Sequence, residues 1–201
     1  MTKLVYIVGK SDIPRRVELG AGESLDMTLI VLPGVSCSLP LRFDLIGEGA
    51  ELQLRGLYLC NGLQSVDISV EVRHEAGGCT SRQQFRGIVG GEARASFFGK
   101  IFVRKDAQKT KAYQEDHNVL TSATAVAQTR PQLEIYADDV ECSHGATVGS
   151  LNEDERFYMR SRGIPEAEAK VLQMISFVSP IMEAVEDEGL SSEIYEKLSE
   201  C

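Results

Sequence analysis

The residues best suited to chemistry in this 201-residue chain form one short run, Glu141-Cys142-Ser143-His144, with Asp138-Asp139 just before it and Gly145 just after. Thiolate, imidazole and carboxylate are donors that iron and other borderline metals accept. Cys142 and His144 stand two residues apart, so on a strand they share a face while Glu141 and Ser143 point the other way. Residue types alone leave a plainer reading open, in which Cys142 is a small core hydrophobe and His144 bonds to a turn. Asp138-Asp139 reads as a solvated turn. His74 and His117 are the only other histidines, and their spacing supports no three-histidine centre.

The remaining thiols, Cys37, Cys60, Cys79 and Cys201, make an odd total of five with no CxxC pair. That pattern argues against a zinc ribbon and against a secreted disulfide framework. The chain carries no Gly-x-x-x-x-Gly-Lys-Ser/Thr loop, so any ATP hydrolysis belongs to a partner.

The elements that must position the run come in two regimes. Through residue 149 the pattern has period two, as in Leu52–Arg55, Val66–Arg73, Lys100–Arg104 and Leu133–Tyr136. Such alternation marks strands with one buried face. No amphipathic helix interrupts them, which excludes a doubly wound α/β fold. A weak echo, Gly22-Glu23-Ser24, Gly47-Glu48-Gly49 and Gly91-Glu92-Ala93, opens successive strands with the same turn chemistry. Stacked coils produce such an echo, and a Greek-key sandwich produces nearly the same pattern. Periodicity alone favours the sandwich, the commoner fold.

After residue 149 the regime becomes helical. Ser150-Leu151-Asn152-Glu153 has capping-box spacing, Gly163 is suited to end the first helix, and Pro165 to open a second. Val171, Met174, Ile175 and Val178 recur at helical spacing. Ser179-Pro180 predicts a restart as a third helix that Gly189 ends, and Ser191 or Ser192 a cap for a fourth. The division expected is a β body over 1–149 and a helical region over 150–201.

Composition narrows the function classes. The net charge of -9 argues against a nucleic-acid binder, and much of the acidity crowds the last twenty residues as a solvated face. There is no apolar run of about 18 residues for a membrane span. The run in Met1–Lys10 is too short for a secretory leader, so a reduced cytoplasm is the expected compartment.

Four blocks in order carry a family resemblance: Thr80-Ser81-Arg82-Gln83-Gln84-Phe85-Arg86-Gly87, Gly99-Lys100-Ile101-Phe102-Val103-Arg104 with Ala107–Thr110, Pro131–Gly149, and Phe157-Tyr158-Met159-Arg160-Ser161-Arg162-Gly163-Ile164. Over roughly residues 75 to 178 the chain resembles the SufB/SufD family of iron–sulfur cluster assembly proteins, nearer its SufD branch. The resemblance implies a mainly β fold, a right-handed parallel β-helix followed by a small helical region, in place of the sandwich. It also implies a scaffold or scaffold-partner subunit that pairs through its β-helix, with itself or with a SufB/SufD-type partner, and docks a SufC-type ABC ATPase on its helices.

Cys142, His144 and Glu141 become the candidate ligands of a transient iron–sulfur cluster. Arg156, Phe157, Tyr158, Arg160, Arg162 and Ile164 become the candidate docking surface, a basic edge around an apolar anchor. The position of SufB's proposed cluster cysteine falls on Asp116, so a thiolate is missing there, and the family's usual N-terminal extension is largely absent. One chain offers two convergent ligands, and two chains meeting at this strand would offer four. A purely structural assembly subunit is the alternative. A β-helix carbohydrate-active enzyme fits less well, since Trp is absent.

Overall fold

The computed structural model describes residues 2–201. Eleven strands precede three helices: β1 (Thr2–Ile7), β2 (Arg16–Leu19), β3 (Ser24–Val31), β4 (Cys37–Leu45), β5 (Glu51–Cys60), β6 (Ser65–His74), β7 (Thr80–Val89), β8 (Arg94–Val103), β9 (Lys111–Leu120), β10 (Val126–Ile135), β11 (Glu141–Ser150), α1 (Glu153–Ser161), α2 (Glu166–Met182) and α3 (Glu188–Leu198). Odd-numbered strands form one sheet in the order β1-β3-β5-β7-β9-β11, and even-numbered strands form the other, β10-β8-β6-β4-β2. Every pairing is parallel. The chain therefore climbs a β-solenoid of about five turns, each turn adding one strand to each sheet. The sandwich that periodicity favours is not what forms. Period two fixes which side chains face inward, and it is the same for either way of pairing the strands.

In-register stacking builds the core as ladders of like positions. Leu52, Leu54, Val66, Ile68, Val70, Val72 and Phe97 are all buried in one continuous interior. Ladder neighbours also trade volume. Gly56 pairs with Phe85, and a Cβ on Gly56 would lie 2.2 Å from a Phe85 ring carbon. Phe85 then meets Phe97 of the opposite sheet with ring centroids 4.6 Å apart.

The turns stack as well. Gly22 N–H donates to Glu48 O, Gly49 N–H to Gly77 O and Gly78 N–H to Gln108 O. Gly22, Gly49 and Gly78 have φ near +70°, conformations an L side chain resists. Lys109, next in that column, is the one non-glycine at positive φ among the described residues, and it is tied to Asp139 by an ion pair.

The helices share a core with the solenoid. Ile30, Leu57, Leu59 and Ile88 point outward from the odd-numbered sheet and pack with Met174, Val178, Ile181, Leu190, Ile194 and Leu198 of α2 and α3. Three local expectations are corrected here. β11 runs through Ser150, and the cap of α1 is Asn152, whose Oδ1 accepts from Asp154 N–H and Glu155 N–H at 2.9 and 3.2 Å. Pro180 lies inside α2 and starts no new helix. The Ser176 carbonyl, which Pro180 cannot serve, accepts the Ser179 hydroxyl at 2.9 Å instead. Gly189 lies inside α3 rather than at a helix end, because Asp187 caps that helix by accepting from Leu190 N–H at 2.8 Å.

Candidate functional site

The open end of the solenoid carries the candidate ligands. β11 pairs only with β9 and β10 only with β8, so both leave a free edge among the described residues. In register, Cys142 stacks on Ala112, His144 on Gln114, Ala146 on Asp116 and Val148 on Asn118. All four β9 partners are buried, so these four β11 residues form the inward face of the last coil. Cys142 and His144 thus occupy successive inward positions at an uncapped mouth, as their two-residue spacing predicts.

The two differ in setting. Cys142 is half-buried against a small cluster formed by Ile101, Val103, Ala107, Ala112 and Ala137. That burial pushes its thiol pKa up, against a partly offsetting backbone hydrogen bond from Ala112. It is a neutral thiol rather than a preformed thiolate, and a metal would have to displace its proton. His144 is exposed. Beneath it Gln114 is fully buried, its amide packed against Gly99. Its Nε2–H donates to Gln83 Oε1 at 2.8 Å, and its own Oε1 has no partner.

Glu141 does not join them. It lies on the outer face, where the Tyr113 hydroxyl donates to its carboxylate and Lys111 Nζ stands 3.9 Å away. No group of three or more metal-type donors converges among the described residues. The run therefore supplies two inward donors, one thiol and one imidazole. Asp138 and Asp139 are exposed, as a solvated turn should be.

Polar groups inside the solenoid were not anticipated as functional. His74 is completely buried, its Nε2 2.9 Å from Ser81 Oγ and its Nδ1 without a partner. Burial lowers its pKa to about 4. Asp116, fully buried, contacts Tyr58 and Asn118. A parity signal existed: Gln114, Asp116 and Asn118 share the inward phase of Ala112, where apolar residues are expected.

The helical candidates divide in two. Phe157 and Tyr158 are 72% and 60% exposed, and Arg162 lies over the Tyr158 ring. Arg156 is instead largely enclosed, with Nη1 3.0 Å from Glu166 and Nη2 3.5 Å from Glu153. It pins α1 to α2. Arg160 also reaches Glu166, at 3.4 Å, and Ile164 is half-buried at the end of α1, where its N–H donates to Met159 O. A groove of about 710 Å³ between α1, α2 and the end of β9 is lined by Leu151, Tyr158, Met159, Leu172 and Phe177.

Residues 14–177 match the family model for the core domain of SufBD proteins, described as SUF system FeS cluster assembly. The match reaches back well before the sequence blocks that begin near residue 75. The chain is 38% identical over 157 residues to the iron–sulfur cluster assembly protein SufD of Escherichia coli, an alignment covering 78% of this chain and 37% of that protein. It is 36% identical over 140 residues to a SufBD family protein of Synechocystis, covering 69% and 30%. Against the chloroplastic protein ABCI7 of Arabidopsis thaliana identity is 33% over 139 residues, covering 69% and 29%. The chain thus spans roughly a third of the length of these relatives.

Proposed function

The chain belongs to the SufBD family, and on that premise we propose that it is an iron–sulfur cluster assembly subunit that works through the open end of its solenoid. The single observation carrying this reading is that Cys142 and His144 lie side by side on the inward face of an unpaired terminal coil. A cluster held here is cargo rather than a resident group. Two donors are too few to retain one, since biological clusters are held by about four protein ligands. A second family member meeting this end would complete the set. Its strands would also satisfy the free backbone groups of β10 and β11, which an exposed edge presents to any matching strand.

Electrostatics set the order of events. The Cys142 thiol sits above its ordinary pKa, so loading must remove a proton, and an empty site remains unreactive. The exposed imidazole of His144 is free to turn toward incoming iron. The chain carries no Gly-x-x-x-x-Gly-Lys-Ser/Thr loop, and we assign the energy for the cycle to an ABC-type ATPase. Phe157 and Tyr158 on α1 are its proposed anchor, rimmed by Arg160 and Arg162. The six-residue docking set narrows accordingly: Arg156 is largely enclosed by its pairs with Glu153 and Glu166, whereas Arg160 stays exposed beside Glu166, and Ile164 is half-buried. No helix among the described residues is long and apolar enough to cross a membrane, and we place this assembly in the cytoplasm.

A structural subunit without a metal role is the second reading. The half-buried, neutral Cys142 favours it. Both readings require pairing through the open end, and the test begins there. Ala146→Arg or Val148→Arg, on the exposed inward face of β11, should prevent co-purification with a longer SufB-type partner while leaving the fold intact. Undiminished co-purification of both variants would overturn the pairing surface.

A further inference from the structure

Inside the solenoid three side chains close a ring of contacts. Tyr58 of β5 reaches across two coils to Asp116 and Asn118 of β9. It can do so because Gly87 stands between Tyr58 and Asn118 in the same ladder. A Cβ on Gly87 would lie 2.1 Å from Tyr58 Cε2 and 2.3 Å from Asn118 Oδ1. Tyr58 Oη is 2.9 Å from Asp116 Oδ1 and 2.6 Å from Asn118 Oδ1. Asn118 Nδ2 is 2.8 Å from Asp116 Oδ2. Exposure of the three is 2%, 0% and 3%, so none of them faces bulk solvent.

Three contacts need three hydrogens. The tyrosine hydroxyl has one. The Asn118 amide supplies one more, because only one of its two heavy atoms is nitrogen. This holds for either orientation of the amide. With the amide as placed, Tyr58 Oη faces two acceptors with a single proton. With it turned over, Asn118 Oδ1 faces Asp116 Oδ2 with none. In both cases, giving each contact its own hydrogen puts the third on Asp116.

We infer that Asp116 is carried as the neutral acid in the folded protein, and that its proton holds the coil directly beneath the strand bearing Cys142 and His144. Asp116 is a positioning residue, one layer below β11, where its ladder partner is Ala146. The connection to function rests on the site reading above, whereas the protonation rests on the ring alone.

Its surroundings agree. The ladder neighbours Phe85 and Ala146 are apolar. Thr129 on β10 lies near enough to favour the charged form, although its Oγ1 makes no hydrogen bond of ordinary length, and His117 on β9 favours the charged form too. The contacts with Tyr58 and Asn118 favour the charged form as well; burial outweighs all four, and the carboxyl is pushed above the usual aspartate range. For an acid raised in the folded state, the stabilisation is complete below the ordinary aspartate value and is lost as pH rises through the raised one. Ionisation would leave a buried charge and one contact without a hydrogen, loosening β9 and with it β11.

The test uses the intact chain with carbon-13 in its aspartate carboxyl groups, read by NMR across pH, together with hydrogen exchange at β11 amides. One aspartate should remain protonated at a pH where the other aspartates have ionised, and its signal should vanish in Asp116→Asn. The amide introduced there supplies the third hydrogen and cannot ionise, so this variant should keep the ring. In the parent, β11 protection, corrected for intrinsic exchange, should fall at least about threefold as Asp116 ionises. In Asp116→Asn it should stay level. Aspartates that all ionise together in the ordinary range, or β11 protection already lost in Asp116→Asn where the parent keeps it, would overturn the protonation. A neutral carboxyl with β11 protection indifferent to pH would overturn the positioning role. No readout involves metal, so failure of cluster binding would count against the site and not against this ring.

Discussion

Lowering the pH should strain this solenoid at one residue, His74. It ends β6 with its side chain completely buried, one nitrogen 2.9 Å from Ser81 Oγ and the other unpartnered. The Nε2–H tautomer donates to Ser81 and leaves a bare lone pair at Nδ1, a smaller penalty than an unpaired N–H. A second proton has nowhere to bond. Burial accordingly moves the pKa from 6.5 to about 4. Two and a half units at about 1.4 kcal/mol each amount to about 3 kcal/mol. The sign follows from proton counting. Between pH 6.5 and 4 the unfolded chain binds a proton that the folded chain refuses, so stability falls as pH falls, with the full loss reached below about pH 4. Urea denaturation of the parent and of His74→Gln at a series of pH values isolates this effect, because Asp116, which acts in the opposite direction, is common to both and cancels. The difference between the two stabilities should change by about 3 kcal/mol between pH 7 and pH 4. A flat difference would show that His74 is charged without penalty, and its enclosure away from solvent would be wrong.

Substitutions in the core and on α1 probe the packing and the docking surface separately. Gly87→Ala places a methyl group between Tyr58 and Asn118; overpacking of this kind destabilises by about 1–3 kcal/mol, so calorimetry should show a midpoint lowered by several degrees, and an unchanged midpoint would refute the close approach. Phe157→Glu combined with Tyr158→Glu alters side chains that are already exposed, so thermal stability should move by no more than about 0.5 kcal/mol. Capture of the ABC-type ATPase should drop at least about tenfold, and undiminished capture would remove α1 from the docking surface.

Much of the solenoid is legible in the residues, and the gaps have physical causes. Alternation in Val66–Arg73 gives the buried face of β6 correctly, since a strand half-covered by core must alternate. It cannot say that β6 pairs with β4 and β8 rather than with β5 and β7. That choice depends on the turns between strands, and the glycine echo at Gly22 and Gly49 was the only trace of it. The helical region misled where local preference was overridden. Pro180 breaks helices in general, yet here the Ser179 hydroxyl takes over the orphaned Ser176 carbonyl. Within the candidate site, the spacing of Cys142 and His144 placed them on one face, and the same rule turned Glu141 away. The interior ring of Tyr58, Asp116 and Asn118 escaped notice because polar residues in alternating strands read as solvent-facing. Only their parity with Ala112 betrays the inward direction.

On the proposed reading, the open end of the solenoid completes a cluster site from two chains through Cys142 and His144. Anaerobic reconstitution with iron and sulfide of the complex between this chain and a SufB-type partner tests it most directly, with visible absorption and Mössbauer spectra as the readout. The parent complex should show a cluster signal that is lost in His144→Ala and weakened in Cys142→Ser, with the complex itself still assembled. An identical signal in both variants would contradict it and leave the chain a structural subunit.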